Sequence, residues 1–134
     1  MQNLKIIIIT GLCLICPQSL GQGVPKAYEA IQYQGKANNK LVKFILANGY
    51  IGASTLKLSV PGKKKLTSFE PEAGVADEHN RLKFIAANSN VPEYFIMDNM
   101  QEAYEDTPQS VSGLYFLNGK KIHVKLELVK GRKR

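Results

Sequence analysis

Asp77, Glu78 and His79 are consecutive and place two carboxylates and an imidazole in a short stretch that opens at Gly74. These are ligand types for a divalent cation. Ca²⁺ wants several converging oxygens, and Zn²⁺ wants further nitrogen or carboxylate ligands from elsewhere in the chain. Neighbouring loop residues point in different directions, so closing a site here needs acids from the Asp98 to Asp106 segment. His123, the one other histidine, falls at an outward position of a strand pattern, which leaves no spaced histidine pair. A solvated polar loop is the simpler expectation, and no cofactor is expected.

Acid–base chemistry has raw material but no singled-out geometry. Nine acids lie between Glu70 and Asp106, and two of them, such as Glu72 and Glu102, could serve glycoside hydrolysis if the fold held them at a suitable separation. So many acids make some pair inevitable, so a small hydrolase using carboxylates of the 70–106 segment stands only as an alternative. Ser54 and Ser112 read as ordinary strand residues, not as nucleophiles on a strained elbow. Phosphate loops and dinucleotide fingerprints are absent. Cys13 and Cys16 have C-x-x-C spacing but lie inside an apolar run, away from any strand–helix context. The sequence points to a non-enzymatic protein.

Charge is more informative. The formal net charge is +7, unevenly spread. The 70–106 segment carries only Arg81 and Lys83 against its nine acids, a balance of −7. The stretches before and after it are strongly basic. Lys63-Lys64-Lys65 follows Pro61-Gly62, and Arg132-Lys133-Arg134 ends the chain. These clusters are the candidate anion-binding residues, and a basic face of this kind suits an anionic polymer or envelope component. Nucleic acid is disfavoured, because no basic strand is interleaved with aromatics into a base-stacking platform. Among the aromatic residues, Tyr94, Tyr104 and Tyr115 are candidates for lining a small-ligand site. Cross-strand packing is the plainer role for tyrosine.

The segments that must position these residues begin after an N-terminal leader. Lys5 precedes the apolar run from Ile6 to Cys16, and Pro17 ends that run well short of the roughly 20 residues a bilayer-spanning helix needs. Small residues at Ser19 and Gly21 fit cleavage before Gln22, with a cut after Gly23 as the alternative. Residues 1–21 are thus expected to be a signal peptide, and the product an exported protein, periplasmic or secreted, of a bacterial envelope. Residues 22–134 then form one domain without cysteine, with a basic C-terminal tail and no membrane span.

That domain shows apolar residues at every second position, the mark of strands with one buried face. Lys121 to Val129 and Thr55 to Val60 are the clearest runs, followed by Leu41 to Ala47 and Leu82 to Ala87. Tyr28 to Gln34, Leu66 to Phe69, Tyr94 to Met97 and Val111 to Leu117 complete about eight. Asn48-Gly49 and Asn118-Gly119 predict two-residue hairpins, and Pro61-Gly62 a third turn. At most one short helix is expected, near 98–105, with Asp98 as its cap. The expected fold is all-β: a small antiparallel barrel or sandwich, the two not separable by periodicity. Its expected role is an exported binding or interaction domain.

Overall fold

A computed structural model describes residues 28–87 and 91–130. The leader at 1–21 with both cysteines, its cleavage sites, and Arg132, Lys133 and Arg134 lie outside the described residues. All eight expected strands are present: β1 (Glu29–Ala37), β2 (Lys40–Asn48), β3 (Thr55–Ser59), β4 (Leu66–Pro71), β5 (Leu82–Ala86), β6 (Glu93–Met97), β7 (Ser110–Leu117) and β8 (Lys120–Leu128). Each pairs antiparallel with the next, and β8 returns to β1 through Tyr33↔Leu128 and Gln34↔Glu127, closing an up-and-down barrel. The barrel-or-sandwich alternative resolves to a barrel.

Alternation decides which side chains enter. Tyr33, Phe44, Leu56, Phe69, Phe84, Phe95, Tyr115 and Leu126 are fully buried along the axis. Their rings interlock: Phe69 meets Phe95 edge-on at 4.9 Å, Phe44 meets Phe84 at 5.6 Å, and Phe95 stacks on Tyr115 at 4.6 Å. An eight-stranded barrel encloses either side chains or one small ligand; here side chains fill it. Outward positions carry Gln32, Gln34, Lys43, Lys57 and Lys125, all exposed. A lipid-facing barrel shows the opposite arrangement, apolar outside and polar within. No described helix is long and apolar enough to cross a membrane.

Two local expectations come out differently. Asn48-Gly49 does not make a two-residue hairpin; residues 49–54 connect β2 to β3 through a 3-10 turn at Ile51–Ala53. The tight two-residue connections are Asn38-Asn39, with Asn38 at φ 58°, and Asn118-Gly119, with both residues at positive φ. The 98–105 segment is a loop, because its polar groups are engaged elsewhere. Tyr104 N–H donates to Asn48 Oδ1 (2.7 Å), Asn48 Nδ2 donates to the Tyr104 carbonyl (3.2 Å), and the Tyr104 hydroxyl donates to the Asn99 carbonyl. Asn99 itself sits at φ 54°, outside helical geometry.

Candidate functional site

In an up-and-down barrel, alternate connections emerge at opposite ends. One end receives Asn38-Asn39, residues 60–65, Ala87 with residues 91–92, and Asn118-Gly119; the other receives 49–54, 72–81 and 98–109, with the start of β1 and the end of β8. This sorting separates the charges. Lys36, Lys40, Lys63, Lys64, Lys65, Lys120 and Lys121 gather at the first end, with Glu93 as its one acid among the described residues. Glu29, Glu70, Glu72, Asp77, Glu78, Asp98, Glu102, Glu105 and Asp106 gather at the second, beside Arg81, Lys83 and Lys130.

The two ends also differ in closure. At the acidic end, Ile51 and Met100 come in from their loops and are buried with the core, while a larger cleft of about 480 Å³ opens beside them between the 72–81 loop, Leu82, Lys83 and Ile96. The Met100 amide is held by the Asn80 carbonyl at 2.7 Å. At the lysine end the turns are short, and a cleft of about 190 Å³ remains between Lys40, Leu58, Val60, Lys65, Thr67, Val91, Glu93 and Leu117. These residues come from β2, β3, β4, β6 and β7 and the turns between them, which places the cleft across the barrel mouth.

Lys40 and Glu93 enter the mouth for the same reason that the core forms. Lys40 lies two residues before buried Val42, and Glu93 two before buried Phe95, so both belong to inward rows. The Lys40 ammonium stands 5.7 Å from the centre of the Tyr115 ring, a cation–π placement. The Tyr115 hydroxyl donates to Glu93 Oε2 at 2.5 Å. Burial first, and then the Glu93 carboxylate, push the Tyr115 phenol well above its ordinary pKa, so it stays a donor. A carboxylate fixed by a buried phenol, an ammonium on the same ring and the nearby Thr67 hydroxyl make a mouth that can both donate and accept. Sequence reading passed over Lys40 and Glu93; extending the period-two pattern one step past each apolar run finds them.

The three candidate tyrosines do not converge. Tyr115 is inside beneath the mouth. Tyr94 is on the outer wall, stacked on Phe116 at 4.7 Å with the Lys83 ammonium 4.4 Å from its ring centre. Tyr104 is in the 98–109 loop, where its hydroxyl also accepts from the Gln101 amide at 3.1 Å. Lys63, Lys64 and Lys65 do sit together, exposed, at the mouth rim. They follow a turn in which the Lys63 amide bonds the Val60 carbonyl and Gly62 adopts φ 81°.

Asp77, Glu78 and His79 lie on the exposed 72–81 loop. Asp77 Oδ1 accepts from the Arg81 and His79 amides at 2.9 and 2.8 Å, and Oδ2 faces the Arg81 guanidinium at 3.7 Å. These contacts, the Arg81 amide foremost, hold the Asp77 carboxyl below the usual range. The carboxylate thus staples its own loop. Among the described residues, no three His, Cys, Asp or Glu side chains are grouped to hold an ion. Glu72 lies 3.9 Å from the Lys83 ammonium, and Glu102 is exposed on the 98–109 loop of the same end. Searches of protein-family models, curated proteins and solved structures return no match to this chain.

Proposed function

We propose that this protein is an exported, non-enzymatic binding module that engages an anionic polymer of the cell envelope or its surroundings through the lysine-bearing end of the barrel. The observation that carries the reading is the gathering of seven described lysines against one acid around the open mouth. Clustered charge of one sign raises the local concentration of an oppositely charged partner and speeds encounter. A filled interior supports the same reading, since recognition then falls to the ends and the outer wall. The N-terminal pattern of Lys5, an apolar run and small residues at 19 and 21 supports export.

Retention on a heparin column against a salt gradient tests the binding. Lys63→Glu with Lys64→Glu is expected to lower the eluting salt sharply, because multivalent attraction to a polyanion is steeply salt-dependent. Lys57→Glu with Lys125→Glu makes the same change of charge on the barrel wall and is expected to lower it much less. Equal losses in the two double variants refute the placement. N-terminal sequencing of exported material is expected to begin at Gln22.

A further inference from the structure

We propose that the mouth cleft seats the terminal residue of an acidic polysaccharide: a uronate-type hydroxy acid, with its carboxylate toward the Lys40 and Lys65 ammonium groups and its hydroxyls toward Thr67 and Glu93. The inference rests on the anion-binding reading of the lysine end and adds which chemistry is recognised there, and where. The cleft, at about 190 Å³, falls below the roughly 300 Å³ at which sites for drug-sized ligands begin. One small residue fits. A continuing chain cannot pass deeper, because Tyr115 and Phe95 fill the barrel beneath.

The polar groups narrow the ligand further. Two ammonium groups at the mouth favour an anion, but Glu93 on the same wall repels a densely charged one such as a phosphate ester. A singly charged carboxylate with neutral hydroxyls matches both. Its hydroxyls find an acceptor already aimed, since the Tyr115 bond at 2.5 Å fixes the Glu93 carboxylate, and a preorganised acceptor loses little freedom on binding. Leu58, Val60 and Leu117 offer an aliphatic surface for the C–H face of a sugar ring. The ring of lysines outside the cleft is left to attract the rest of the polymer.

The test is a nuclear magnetic resonance titration of the chain with galacturonate monomer and with galacturonate oligomers. It is run on wild type and on Lys40→Met and Val60→Trp, each first checked for an unchanged melting temperature. Saturable shifts at the Lys40, Thr67 and Glu93 amides are expected with both probes, with the oligomer binding more tightly than the monomer. Each variant is expected to lose about tenfold or more in affinity, the scale of one hydrogen bond to a charged group. Equal affinity for monomer and oligomer overturns the part given to the surrounding lysines, because the seated residue alone would then supply all of the binding. Full oligomer binding by both variants, with loss only in Lys63→Glu/Lys64→Glu, overturns the cleft as the seat while the anion-binding end stands. Failure of the wild-type chain to bind heparin or either galacturonate probe removes both.

Discussion

Asn48 shows how a residue can be read correctly for type and wrongly for task. Followed by Gly49, it has the local signature of a tight hairpin, yet its amide reaches 56 positions along the chain to bond both the N–H and the carbonyl of Tyr104. A neighbour that distant leaves no trace in local spacing. Asn48→Ala strands two part-buried backbone groups, and each such loss costs about 1–3 kcal/mol. A lower urea midpoint with unchanged slope, and faster exchange of the Tyr104 amide, are the expected results. The buried phenols give a second prediction. Burial pushes Tyr33 up to about 12, above its ordinary value of 10.0, and its hydroxyl donates to the Pro108 carbonyl at 2.8 Å. A group raised in the folded state contributes stability that is complete below its unfolded value. That stability is lost as pH rises from about 10 to about 12, because the unfolded chain releases the proton first. Tyrosinate absorbance and stability measured together across this window are expected to change together. In Tyr33→Phe the alkaline loss is expected to be smaller, whatever the variant's starting stability.

At the level of strands, period-two alternation was enough to locate all eight, because a barrel wall has one dry face along its whole length. Closure was not legible. It depends on β1 meeting β8, two segments at opposite ends of the domain, and on a short seam of two paired positions. Gly35 marks that seam. A Cβ there would lie 2.5 Å from the Lys125 carbonyl oxygen and 2.9 Å from a methyl of Leu126, so β8 can come this close only because Gly35 has no side chain. Gly35→Val is therefore expected to destabilise by at least the roughly 1–3 kcal/mol typical of overpacking. Hydrogen exchange is expected to quicken first in β1 and β8. Gly74→Ala, where nothing lies within 4 Å, is the matched control and is expected to leave the melting curve unchanged. The absent helix at 98–105 has the same root as the seam: long-range bonds outweigh a local capping pattern.

Across the whole molecule, the sequence displays its charges as blocks along a line, and the barrel converts that line into an axis. Strand parity alone does this: connections after β1, β3, β5 and β7 share the lysine end, and those after β2, β4 and β6 share the acidic end. The consequence is that position along the axis, and not net charge, should govern attraction to a polyanion. Two variants separate the possibilities. Glu102→Gln, Glu105→Gln and Asp106→Asn together raise the net charge by three, but at the acidic end. Lys63→Gln, Lys64→Gln and Lys120→Gln lower it by three at the other. If net charge ruled, retention on heparin would shift by similar amounts in opposite directions. With the contact confined to the lysine end and remote charges screened beyond about 8 Å at physiological salt, the first variant is expected to elute close to wild type. The second is expected to elute at much lower salt, with a shallower dependence of log affinity on log salt because fewer counterions are released. A strong gain in retention by the acid-neutralised variant would show that the polymer reads the whole surface, and the axial arrangement would then have no part in binding.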